Sequence, residues 1–141
     1  MTPEEQKKFL AAHRLAIVGI ARKDRGPHMS PVYYALDGGD ILISTTASRW
    51  KAKAIRRNPS MSLCIIGEAM PFPYLLLYGT AVIEDHGAPG VMRKIGERMT
   101  GNPIPDSALP AIEERAKTEG RVVLRFTPEK VGGTAYTDKR A

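Results

Sequence analysis

The stretch "STTASRWKAKAIRRNP", residues 44–59, places Ser44, Thr45 and Thr46 ahead of five cations and holds no acid. From Ile41 to Gly67 the chain carries no Asp or Glu at all. With Ser48 as a helix cap, Arg49, Trp50 and Lys51 form a first turn, where a cation opposes the helix dipole at a cost of up to about 1 kcal/mol. At about 100° per residue, Arg49, Lys53, Arg56 and Arg57 share one arc, either a solvated face or a surface for an anion. Lys51 projects to the opposite side, beside Ile55 and near Ala54, where a residue packed on the core is expected. An anion at the helix start would remove both penalties, because backbone N–H groups, hydroxyls and cationic heads all donate to it. A phosphate is the natural candidate. Without a ligand, Lys51 would instead run its stem out to solvent.

Little else in the sequence has the spacing of catalytic chemistry. His13, His28 and His86 are scattered, and no Cys/His/Asp/Glu cluster has metal-ligand spacing, so no metal site is expected. Cys64 lies inside an apolar run and reads as core. No serine has a G-x-S-x-G setting and no acid–base pair stands out. That absence fits an enzyme whose cofactor carries the reaction while the chain binds and orients it. In "GEAMPFPYLLLYG" (67–79), Met70, Phe72 and Tyr74 either line a substrate cleft or pack a core or dimer face. Nucleic-acid binding would use the same basic helix, with Trp50, Tyr33 and Tyr34 for stacking. The absence of a binding motif and an aromatic content of only 6% count against it.

The elements that must position these residues are readable from pattern. Thr2, Pro3 and Glu5 open a capped helix running to about Ala12. "RLAIVGIAR" (14–22) is a strand, "KDRGP" a turn, and "HMSPVYYAL" (28–36) a second strand with an edge-type proline at Pro31. "DGG" (37–39) predicts a hairpin into "DILIST" (40–45). The basic helix follows at about 48–57, ended by "NP". Residues 60–69 and 74–85 are strands, 87–100 and 106–119 helices, and 121–137 one bent strand or two short ones broken at Thr127-Pro128. The expected architecture is one α+β domain over residues 1–141, mainly antiparallel β, forming a small barrel.

Composition narrows the class. A chain of 141 residues with 43% hydrophobic and 26% charged residues is the size and balance of one globular domain. No apolar run approaches the roughly 20 residues that cross a bilayer, the start has no signal-peptide pattern, and one cysteine fits a reducing cytoplasm. No membrane association is expected. A net charge of +6 favours an anionic partner without choosing one.

With these residues in place, "ILISTTASRWKAKAIRRNPSMSLCI" resembles the flavin/deazaflavin oxidoreductase superfamily with the pyridoxamine-phosphate-oxidase-like split β-barrel. "LAIVGIARKDRGPHMSPVYYALDGGDILIST" is similar to that family's opening three strands, and "YLLLYGTAVIED" to a later strand with a G-x-A step; the likeness covers roughly residues 9 to 137. The resemblance implies a split barrel with flanking helices and a homodimer with a cofactor at each side of the subunit interface. It also implies that Ser44, Thr45, Thr46, Arg49 and Lys51 hold a cofactor phosphate, with Trp50 and Ala54 beside it, while Ser30, Pro31 and Val32 line an isoalloxazine-type ring. The second strand and C-terminus lack the family's grip on pyridoxine phosphate. The short chain, the "SPV" strand and the many cations look more like the branch that uses the 8-hydroxy-5-deazaflavin coenzyme F-420, with FMN as the alternative cofactor. The implied activity is hydride transfer to a small organic substrate; a carrier that never turns the cofactor over is not separable from an enzyme by sequence.

Overall fold

The fold is a computed structural model that describes residues 1–136. Thr137, which closes the expected last strand, lies outside the described residues. The chain runs α1 (Pro3–Ala12), β1 (Leu15–Ile20), β2 (His28–Tyr33), β3 (Ala35–Asp37), β4 (Asp40–Thr46), α2 (Trp50–Arg57), β5 (Ser60–Ile66), β6 (Tyr74–Glu84), α3 (Ala88–Thr100), a short 3-10 turn (Asp106–Ala108), α4 (Leu109–Glu119) and β7 (Arg121–Ala135). No helix among the described residues is long and apolar enough to cross a membrane.

All seven strands join one antiparallel sheet in the order β2-β1-β5-β6-β7-β4-β3. β2 and β3 are therefore opposite edges of the sheet, yet only Tyr34 separates them in the chain. A single residue reaches about 7 Å between its neighbours' Cα atoms, so the sheet must curl until its two edges nearly meet. The result is a split barrel, as the family resemblance implies, with the split lying between β2 and β3.

The expected strand at 28–36 is thus two strands on different edges. Tyr34 is the corner, and it is pinned from every side. It is fully buried, its hydroxyl donates to the Leu10 carbonyl at 2.8 Å, and its carbonyl accepts from Arg98 Nε at 2.9 Å. The Arg98 guanidinium stacks over the ring at 4.9 Å and also donates to the carbonyls of Leu10 and His13. Burial raises the phenol's pKa, and Arg98 only partly offsets it, so the group stays a neutral donor.

Inside the barrel, alternate residues of each strand meet: Ala16, Val18 and Ile20 from β1, Leu63 and Ile65 from β5, Leu124 and Phe126 from β7. Phe9 of α1 closes the end beside the start of β6, and Ala54 and Ile55 of α2 close the other, where Arg56 reaches Asp85 at 3.5 Å. A second cluster packs α3 and α4 onto the outer face of β3, β4 and β7 through Ala35, Leu42, Val91, Ile95, Ala116 and Val123. Residues 121–135 are one continuous strand, bent by two register shifts against β6 rather than broken at Pro128. Gly79 sits at the second shift because a Cβ there would come within 2.1 Å of the Thr127 carbonyl oxygen.

Cys64 is not core. Met61, Leu63 and Ile65 take the inward positions of β5, and period-2 alternation sends Cys64 to the outer face, where it is half-buried. Partial burial pushes its thiol pKa up.

Candidate functional site

The helix start departs from the expected geometry in one informative way. Arg49, not Ser48, is the residue that enters α2, and no side chain caps the helix. The reason is the turn before it: Arg49 N–H donates to the Thr46 carbonyl at 3.1 Å, which keeps the chain extended until Trp50. Helical-wheel geometry therefore does not apply to Arg49. It leaves the arc of Lys53, Arg56 and Arg57 and joins Lys51 instead.

Arg49 and Lys51 stand at the junction of two adjoining cavities and line both. The larger, about 640 Å³, is also walled by Arg22, Lys23 and Arg25 from the β1–β2 loop, Arg57 of α2, and His28, Ser30 and Trp50. Asp24 is the lone acid in that wall. The Arg22 side chain donates to the Gly26 carbonyl at 2.6 Å, which folds the loop back over the cavity. The Trp50 and His28 rings lie 5.0 Å apart and tilted. The smaller cavity, about 360 Å³, is mainly apolar near β2 and α3, with Pro31, Val32, Ile43, Met92, Ile95 and Met99 on its walls. Ser44, Arg115 and Arg121 add its polar groups, both arginines being tied to Glu119 at 2.9 and 2.6 Å.

Of the residues singled out in the sequence, Ser30, Pro31, Val32, Ser44, Arg49, Trp50 and Lys51 come together around this junction. Thr45, Thr46 and Ala54 line neither cavity. Thr45 and Thr46 are buried in β4, and Ala54 is sealed in the barrel core. Arg56 is drawn aside by Asp85, and Lys53 faces solvent. The loop cations Arg22, Lys23 and Arg25 went unread because a polar Gly/Pro turn normally carries charge simply for solvation.

The electrostatics at the junction favour an anion. Burial, and then the neighbouring Arg49 charge, pull the Lys51 ammonium below the usual lysine range. The Ser30 and Ser44 hydroxyl oxygens are buried and find no hydrogen-bond partner among the described residues, and a third such hydroxyl, Thr134, lies outside both cavities. An unpaired buried hydroxyl costs on the order of 1–3 kcal/mol. Phosphate oxygens accept from hydroxyls, guanidinium and ammonium alike, so a phosphate beside Ser44, Arg49 and Lys51, which line one cavity together, would suit all three.

The depressed Lys51 value has a checkable sign. The unfolded chain holds this proton more tightly than the folded one, so the charged form costs apo stability at neutral pH. That cost is relieved as pH rises from the folded value towards the ordinary lysine value. Urea melts should therefore show Lys51→Ala gaining most over the parent near neutrality, with the gap closing through that alkaline window. Anion affinity should run the opposite way, falling as the ammonium loses its proton.

Residues 2–135 match the family described as pyridoxamine 5'-phosphate oxidase. The chain belongs to this family. No curated protein matches the sequence. Among solved structures, a conserved hypothetical protein of Mycobacterium tuberculosis shares the fold with a TM-score of 0.81 at 22% identity, covering 100% of this chain and 95% of that one. An F420 reductase aligns with a TM-score of 0.63 at 21% identity over 84% of this chain and 89% of its own. The heme storage protein HutZ of Vibrio cholerae aligns with a TM-score of 0.69 at 16% identity over 96% and 94%. At these identities the likeness is one of fold, and a fold hosts different ligands. The family's flavin-binding split barrel is thus in hand, and the choice of ligand rests on the residues of the cleft.

Proposed function

We propose that this protein is an oxidoreductase that uses coenzyme F-420 for hydride transfer to a small organic substrate, working in the cytoplasm as a homodimer. The observation that carries this reading is the junction itself: Arg49, a half-buried Lys51 and the unpaired Ser44 hydroxyl converge where two cavities adjoin, the larger one cationic and the smaller one with apolar walls towards β2 and α3. A cofactor phosphate belongs at that point, held by Arg49 and Lys51. The ring lies along Ser30, Pro31 and Val32 of β2, with Trp50 beside the phosphate. When bound, the deazaflavin supplies the hydride chemistry, and the chain supplies binding, orientation and exclusion of water.

F-420 continues beyond its phosphate into a carboxylate-bearing tail, and FMN ends there. Arg22, Lys23, Arg25 and Arg57 border the larger cavity with one acid among them, a balance that suits the tail and that FMN would leave unanswered. FMN remains the second reading, favoured by the family to which the chain belongs.

The dimer has its own support. The outer face of β2, β1, β5 and the first half of β6 carries no charged side chain, and neither buried cluster includes it. Leu15, Ile17, Met29, Tyr33, Ile66 and Leu76 fall on it by strand register. An uncharged face of this extent on a small protein calls for a partner surface, and a second copy supplies the same face.

Protein purified from a host without deazaflavin tests the reading. It should be colourless, take up added F-420, and oxidise the reduced cofactor in the presence of some member of a substrate panel. A tightly held FMN spectrum would overturn the cofactor assignment. Binding without turnover on any substrate would make the protein a carrier.

A further inference from the structure

The corner between α4 and β7 is fastened to the corner between β4 and α2. Gly120 ends α4 in the left-handed conformation (φ 64°), and its carbonyl accepts from Ala47 N–H at 2.9 Å. One residue on, Arg121 pairs with Thr46 in the ladder, and the Thr46 carbonyl accepts from Arg49 N–H. Arg121 is thereby brought beside the entry to α2. Ser44 pairs with Val123, so alternation puts Arg121 on the same face of the sheet as Ser44. The two are diagonal neighbours, a separation of roughly 7 Å that an arginine spans with ease.

The Arg121 side chain is only 17% exposed, and it donates through Nε to Glu119 at 2.6 Å. Its remaining N–H groups bond no other described residue. The second oxygen of Glu119 accepts from Arg115 Nε at 2.9 Å, a contact across one turn of α4 that fixes the direction of the carboxylate. These bonds, from Arg115 and then from Arg121, hold the Glu119 carboxyl below the usual carboxylate range. Two guanidiniums thus divide one carboxylate between them. A grip at Nε leaves the far edge of the guanidinium fork open. Arg121 lines the same cavity as Ser44, Arg49 and Lys51, and an oxyanion among these donors would meet that open edge.

We propose that Arg121 is a further ligand of the oxyanion held at the start of α2, and that Glu119, braced by Arg115, is its positioning residue. The inference rests on the phosphate reading above and adds a third element, the α4–β7 corner, to the grip of β4 and α2. Glu119 acts through Arg121 and touches no ligand. Its charge alone would repel a phosphate, so the sign of its effect on affinity separates positioning from simple electrostatics.

The probes are 8-hydroxy-5-deazariboflavin and its 5′-phosphate, titrated by fluorescence into cofactor-free protein. Arg121→Gln should weaken the phosphate ester by about tenfold or more and leave the phosphate-free ring unchanged. Glu119→Ala removes a negative charge, yet it should weaken the ester by about threefold or more, the cost of ordering a freed arginine. In the Arg121→Gln background the same change should bring no further weakening. Arg121→Lys keeps the charge without the fork and should lose part of the affinity, which tests the site even if Arg121→Gln folds poorly. Equal losses for ester and ring would put the role of Arg121 in the fold and overturn the proposal, as would tighter ester binding by Glu119→Ala. If Lys51→Ala loses the ester while both Arg121 variants keep it, the proposal fails and the phosphate reading stands. Full affinity in all three would remove both.

Discussion

Lys51→Ala is expected to weaken cofactor binding by roughly 10- to 150-fold while leaving the apo protein as stable as the parent or more so. The first half follows from the loss of a charge-assisted hydrogen bond worth about 1.5–3 kcal/mol. The second half follows from position. Lys51 lies in the first turn of α2, where no acid offsets the dipole, and it is held partly out of water beside Arg49. Removing its charge relieves both penalties, and alanine is a better helix former. Lys53→Ala, two residues on and exposed, should cost under about 1 kcal/mol in either assay. Cofactor titration and urea melts of both variants read the contrast. If Lys51→Ala binds as tightly as the parent, or unfolds the apo protein, no phosphate sits at this helix.

Ile66→Asp is expected to raise the dimer dissociation constant more than a hundredfold, enough to give monomers in sedimentation at micromolar concentration. Ile66 is 48% exposed in the single chain, so an aspartate there stays hydrated in the monomer and should not disturb folding. In a dimer built on the uncharged face the same carboxylate loses its water with nothing cationic opposite. An uncompensated buried charge costs on the order of 3 kcal/mol or more, and a two-fold interface meets it twice. An Ile66→Asp protein that remains fully dimeric would move the interface elsewhere on the surface.

The parts of this fold legible in the sequence are those set by local chemistry. The Thr2–Glu5 capping box, the "DGG" turn and the "NP" stop are each enforced by backbone constraints that act within a few residues, and each lies where expected. What escaped reading depends on contacts far along the chain. Tyr34 reads as mid-strand until the curl of the sheet makes it a corner held by Leu10 and Arg98. In "SMSLCII" nearly every residue is apolar, so nothing local says which parity faces inward, and Cys64 falls on the outer face. The three hydroxyls at 44–46 look equivalent in sequence. In a strand Thr45 turns to the opposite face, Thr46 is buried one step further on, and only Ser44 lines the cleft. Arg22, Lys23 and Arg25 join Arg57 only because β1 and β2 pair antiparallel and fold their loop over the start of α2.

The central claim, a deazaflavin whose phosphate sits at Arg49 and Lys51 and whose tail meets the loop cations, is tested most directly by titrating F-420 and FMN into cofactor-free protein at low and high salt. Both ligands offer the phosphate, and only F-420 offers carboxylates to Arg22, Lys23, Arg25 and Arg57. Exposed charge pairs are screened over roughly 10 Å at 0.1 M salt. The account predicts that F-420 binds more tightly than FMN at low salt and that the difference narrows as salt rises. Equal affinities that ignore salt, or tighter binding of FMN under both conditions, would contradict it.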